Sequence, residues 1–138
     1  MMEQYQITKQ AHDNCIACGR VDNNPDSLGL TFMPQQDGSV SASFDVSARY
    51  QGYDGFLHGG MISTLLDAAM THCLFAQGIQ ALTAELTVRF STPVDIGQKV
   101  RLKARLTGQR RGIYQLEASI IGEQQLLARA TAKFIEPK

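Results

Sequence analysis

The chain has 138 residues, 43% of them hydrophobic and 19% charged, and its 13 basic and 13 acidic side chains cancel. That length suits one compact domain with its own core; the balanced charge argues against a nucleic-acid binder, and the apolar content against disorder. No stretch nears the roughly 20 apolar residues of a membrane span, the opening residues lack a secretory-signal layout, and three cysteines make no disulfide framework, so a cytoplasmic protein with no nucleic-acid or membrane partner is expected.

Residues 1–27 are polar and turn-rich, closing in Asp22-Asn23-Asn24-Pro25-Asp26-Ser27. They read as an N-terminal arm with a short helical piece, and residues 28–138 as the domain proper. The arm carries His12 and one Cys-x2-Cys, Cys15 and Cys18, followed by Gly19. A structural zinc site takes four ligands, and a redox Cys-x2-Cys opens a helix in a βαβ unit. His12 would be a third zinc ligand with the fourth unassigned, and with neither pattern complete no metal centre is expected.

Residues 28–33 predict a short strand, and residues 39–46 a longer one with Val40, Ala42, Phe44 and Val46 on one face. The stretch from Gly60 to about Gln77 is rich in Leu, Ala and Met, free of proline and followed by Gly78. It predicts a helix that is apolar nearly all round, hence buried on most sides, with a glycine C-cap. Four alternating runs follow, at 81–91, 99–107, 113–121 and 125–135. In 81–91, Leu82, Ala84, Leu86, Val88 and Phe90 oppose Thr83, Glu85, Thr87 and Arg89; in 125–135, Leu126 heads the apolar face. The turns between these runs, at 92–97, 108–112 and 122–123, are too short for parallel crossovers. The fold class is therefore α+β: an antiparallel sheet of five to six strands wrapped around one long central helix.

Polar residues inside that helix are few. Thr64, Asp67 and Thr71 share one stripe, and no Lys or Arg occurs between residues 50 and 88 to neutralise the acid. A carboxyl raised in pKa by burial would serve as a general base or nucleophile; the alternative is an aspartate that merely faces solvent. Before the helix, Gly52, Gly55, Gly59 and Gly60 fall within nine residues. A glycine pair at a helix start offers free N–H groups to a developing oxyanion, or else marks a turn of positive φ. His58 is either a general acid or an imidazole that shapes the loop. Arg110 and Arg111 at a hairpin tip are candidate phosphate contacts.

His58-Gly59-Gly60, Asp67 seven residues on, Thr71 one turn later and Ser91-Thr92-Pro93 at the close of the next strand resemble the hotdog-fold thioesterases. The likeness is greatest to the branch of the phenylacetate-degradation and 4-hydroxybenzoyl-CoA thioesterases. The resemblance spans roughly residues 28–135. It implies an acyl-CoA thioesterase, a hydrolase without cofactor, in which Gly59 N–H polarises the thioester carbonyl and Asp67 activates water or attacks. Thr83 would position water, and Gly60, Thr71 and Phe56 would line the substrate. The family's loop amide, about fifteen residues before the acid, is replaced by Gly52 and Tyr53, which weakens one carbonyl or water contact.

Gly59 and Asp67 are eight residues apart, about 12 Å along one helix at 1.5 Å per residue. Reacting groups must meet at roughly 3 Å, so the two serve one thioester only if they come from different chains. A homodimer with twofold symmetry is therefore required, and the resemblance implies its doubling into a homotetramer. Two other readings remain open at the level of sequence: a hotdog dehydratase or hydratase with His58 and Asp67 as acid–base pair, and an acyl-CoA binder without turnover.

Overall fold

The alternating runs become a six-stranded antiparallel sheet, and the apolar segment becomes the helix it wraps. The computed structural model describes residues 2–137. Two helices, α1 (Met2–Thr8) and α2 (Gly59–Ala76), accompany strands β1 (Met33–Pro34), β2 (Val40–Asp45), β3 (Leu82–Phe90), β4 (Lys99–Arg110), β5 (Ile113–Ile121) and β6 (Leu126–Ile135). The sheet order is β1-β2-β4-β5-β6-β3, every neighbouring pair antiparallel. This is the hotdog architecture.

Register explains how the sheet seats the helix. Val40, Ala104, Ala118, Ala130 and Val88 form one cross-strand row, and Ala42, Leu102, Ile120, Ala128 and Phe90 form the next. The alanines leave room for a helix to lie close, and Leu65, Leu66, Ala69, Met70 and Cys73 fill it with no exposed surface. Ending α2 is a Schellman motif: Ile79 N–H donates to Leu74 O and Gly78 N–H to Phe75 O, both at 2.9 Å, with Gly78 at φ 77°. Gly78 is thus the C-terminal stop the sequence announces.

The arm lies against the C-terminal part of α2. Tyr5 is 2% exposed; its hydroxyl meets His72 Nδ1 at 2.8 Å and donates to Phe32 O at 3.2 Å. Thr8 Oγ1 donates to Phe75 O at 2.6 Å. His72 is stacked on Phe32 and meets Tyr5 and Phe75 edge-on. Burial, with smaller contributions from His12 and Lys9, pushes its pKa down to about 3, so the ring is neutral.

Four expectations need correction. Residues 28–33 do alternate, with Leu30 and Phe32 buried, but Leu28 and Leu30 N–H donate to Ile16 O and Ala17 O of the arm, so only Met33–Pro34 joins the ladder. β4 runs on to Arg110, leaving a two-residue turn at Arg111 (φ 53°) and Gly112 (φ 77°), the type I′ pattern of tight hairpins. In β6 the facing slips: Leu127 is buried at 3% and Leu126 is 39% exposed, because Ile120 pairs with Ala128 but Ile121 with Leu126. In β3 a bulge between Thr83 and Glu85 sets Thr83, still exposed, on the helix side opposite Phe134 and leaves Leu82 66% exposed. Among the described residues, no helix is long and apolar enough to cross a membrane.

Candidate functional site

The loop before α2 closes on itself. Gln51 and Leu57 form an antiparallel bridge, His58 N–H donates to Tyr50 O at 3.0 Å, and Gly55, the one loop glycine of positive φ (88°), turns the chain. His58 is the N-cap of α2: its Nδ1 accepts from Gly60 N–H at 2.8 Å, which places the proton of the neutral ring on Nε2. Two glycines crowd this imidazole. A Cβ at Gly52 would lie 3.2 Å from His58 Cδ2, and one at Gly60 3.1 Å from His58 Nδ1.

Within this loop the Gly60 N–H is taken by the cap, and His58 shapes the helix start, one of the two roles the sequence leaves open for it. Gly59 differs from both. It holds the first helical position, is exposed, and its N–H has no acceptor among the described residues. Neither positive φ nor crowding requires glycine there, since an added Cβ would make only ordinary contact with Phe90 at 3.6 Å. The free donor stands at the positive end of a helix dipole, with the Phe90 ring in van der Waals range of the glycine.

Asp67 is half-buried two turns further along, and Thr83 Oγ1 donates to its Oδ1 at 2.6 Å. The bulge in β3 creates this contact by facing Thr83 toward the helix. Thr64 and Thr71 share the acid's stripe but turn their hydroxyls back on the helix, Thr64 Oγ1 to Gly60 O and Thr71 Oγ1 to Asp67 O, each at 2.9 Å. Thr71 is also 6% exposed, so the hydroxyl expected at the substrate instead lies in the core.

An apolar groove of about 370 Å³ beside the free donor is lined by Gly52, Tyr53, Phe56, Leu57, His58 and Gly59, which places Phe56 next to Gly59. Arg110 and Arg111 line a different groove of about 410 Å³ with Lys133. That groove lies at the Leu82 end of the sheet, since Arg110 pairs with Ile113, Ile113 with Ile135, and Ile135 with Leu82. Sequence reasoning missed two residues here. Phe90 packs in front of Gly59, and Gln51 supplies a loop amide one position before Gly52, its Oε1 accepting from Gly55 N–H at 3.1 Å.

The family model described as the thioesterase superfamily matches residues 54–128, more than half of the chain. Acyl-coenzyme A thioesterase THEM4 of Mus musculus is 30% identical over 95 residues, 67% of this chain and 41% of that protein; its Bos taurus counterpart is 31% identical over 116 residues, 80% of this chain and 48% of that protein. The chain thus spans about half the length of the curated relatives it matches. The PaaI protein from the E. coli phenylacetic acid degradation operon superposes with TM-score 0.80 at 20% identity, over 99% of this chain and all of that one. A Streptococcus mutans protein solved bound to acetyl-CoA superposes with TM-score 0.72 at 21% identity, over 77% of this chain and 86% of that one.

Proposed function

The chain belongs to the thioesterase superfamily, and on that premise we propose that it hydrolyses an acyl-CoA thioester at sites shared between two copies of the chain. Gly59 N–H of one copy holds the thioester carbonyl oxygen as charge develops on it. Asp67 of the other copy drives attack, as general base toward water or as the attacking carboxylate itself. In the base mechanism, the proton removed from water by Asp67 passes to the departing CoA sulfur as the C–S bond breaks. Thr83 is a positioning residue: its hydroxyl fixes one carboxylate oxygen and leaves the other for the reaction.

The observation that carries this reading is the free edge of β3. Among the described residues, β3 pairs on one side only, with β6. It is nine residues long, with Leu82 66% and Phe90 55% exposed. A long unpaired edge with exposed apolar ends is a template for a second chain. Twofold pairing of β3 with β3 is antiparallel, so the Phe90 end of one copy meets the Thr83 end of the other. Phe90 packs on Gly59 and Thr83 holds Asp67. The pairing therefore brings together across the seam two groups that one helix holds about 12 Å apart.

The substrate class follows from the flanks and from the relatives. The groove beside Phe56 and Tyr53 suits an acyl chain, and Arg110, Arg111 and Lys133 offer cations for the CoA phosphates. The relatives' names, acyl-coenzyme A thioesterase, and the acetyl-CoA-bound neighbour point to the same ester.

Subunit mixing tests the shared site. Gly59→Pro deletes the N–H at a helix position where proline is tolerated, and His58 before it already has the extended conformation (φ −60°, ψ 136°) that proline demands. Asp67→Asn deletes the base. Each variant alone should release almost no thiol from an acyl-CoA panel. Unfolded together and refolded, they form hybrid dimers with one intact site, and about a quarter of parent activity should return. Mixtures as inactive as their components would refute the shared site, and a parent that binds acyl-CoA without releasing thiol would refute the hydrolase.

A further inference from the structure

The arm holds a cluster that the proposed hydrolysis leaves unused. His12, Cys15 and Cys18 are each half-buried, and one ligand atom of each lies within 4.8 Å of the other two. Cys18 Sγ is 3.4 Å from His12 Nδ1. Two ligands of a tetrahedral zinc ion, at about 2.3 Å for sulfur and 2.0–2.1 Å for nitrogen, stand roughly 3.6–3.8 Å apart. The His12–Cys18 pair is therefore near coordination spacing, and the remaining separations, none above 4.8 Å, must close by about 1 Å at most.

The backbone around it is built for this approach. Cys15 N–H donates to His12 O at 3.0 Å and Gly19 N–H to Cys15 O at 2.8 Å, which folds the loop back over itself. Ala17 N–H donates to Cys15 Sγ at 3.3 Å, a bond that favours negative charge on the sulfur. Gly19 cannot be another residue without moving backbone: a Cβ there would lie 2.5 Å from both N and O of Cys15 and 2.7 Å from Asp13 O. That crowding is the physical reason for glycine directly after Cys18. His12 is fixed in turn by edge-on packing against Phe75 of α2, with ring centroids 5.0 Å apart. Both sulfurs are free thiols.

We propose that His12, Cys15 and Cys18 bind one thiophilic divalent cation, zinc by ligand chemistry, with its fourth position open to water or a small ligand. Two sulfurs and one imidazole nitrogen select zinc over the oxygen-preferring magnesium and calcium. Binding releases the two thiol protons to solvent and leaves both sulfurs as metal thiolates. The ion clamps the loop at 12–19 to the helix end through His12 and Phe75, adding to the ties that Tyr5 and Thr8 of α1 already make there. The sequence offers His12 as a third ligand and no fourth; the fold brings the three within reach of one ion.

The test uses the full chain, untagged and kept reduced. Cobalt(II) titrated into it should saturate at about one ion per chain, with a thiolate-to-cobalt charge-transfer band and intense tetrahedral d–d bands, and zinc should displace it. Cys15→Ser and Cys18→Ser should each lose the charge-transfer intensity of one thiolate, and His12→Ala should weaken cobalt binding at least about tenfold. Cys73→Ser should change nothing. Removing the ion with a chelator should open residues 13–27 to protease while residues 28–137 stay intact. The proposal fails if the reduced, folded parent takes up no cobalt, if the spectrum survives in the Cys15→Ser/Cys18→Ser double variant, or if the chain carries a Cys15–Cys18 disulfide and binds no cobalt after reduction.

Discussion

The two halves of α2 have similar composition and opposite surroundings. From Ala68 to Ala76 every residue is buried, whereas Gly59 and Gly60 are exposed and Met61, Ser63, Thr64 and Asp67 are only partly covered. The sheet lies under both halves; what differs is the other side. Tyr5, Thr8 and His12 cover the second half through Phe75 and His72, and no described residue of the arm bonds to or stacks on the first. One helix is thus divided into a part that holds the fold together and a part whose uncovered side carries the donor and the acid. Its composition does not reveal the boundary, because what draws it is the placement of the arm.

Substitutions on either side of that boundary should move different observables. The largest effect is expected from Asp67→Asn, which should cut kcat/KM by about 10²–10⁴, the usual contribution of a general base, at an unchanged melting temperature. Asn keeps an oxygen for the Thr83 hydroxyl, so a fall in stability alongside activity would show that the halves are not separable. Leu74→Ala comes next. It empties a side chain that is 1% exposed and should cost about 2–5 kcal/mol in denaturant unfolding, while the remaining folded protein keeps its kcat/KM. Thr83→Val is the smallest. Loss of one hydrogen bond to the carboxylate should lower kcat about tenfold, near 1.4 kcal/mol, with KM unchanged and with recovery in Thr83→Ser. Equal loss in the valine and serine variants would mean that the side chain's shape, not its hydroxyl, matters.

Most of the architecture could be read from alternation and from one long apolar run, because half-buried strands and a wrapped helix impose those patterns directly. Alternation fails where a residue is inserted. Thr83 stands between apolar Leu82 and Ala84 and so reads as outward-facing; the observed register passes over Ala84 and sets Thr83 on the helix side. Leu126 and Leu127 mislead in the same way, two leucines in a row giving no sign of which faces the core. The site was legible as residue types at a spacing, Gly59 and Asp67 above all. How the donors of the loop are divided was not legible, since it depends on His58 folding over Gly60 to take one N–H and leave the other. His12 meets Cys18 across a turn that no periodicity encodes.

The opposite margin of the sheet sets a limit on growth. β1 has only two residues, and the second, Pro34, carries no N–H to offer a neighbouring strand. In the proposed pairing along β3, the margin left to a third copy would be β1 and the stretch 42–45 of β2 that β1 does not cover, a strip of four residues ending in the charged Asp45.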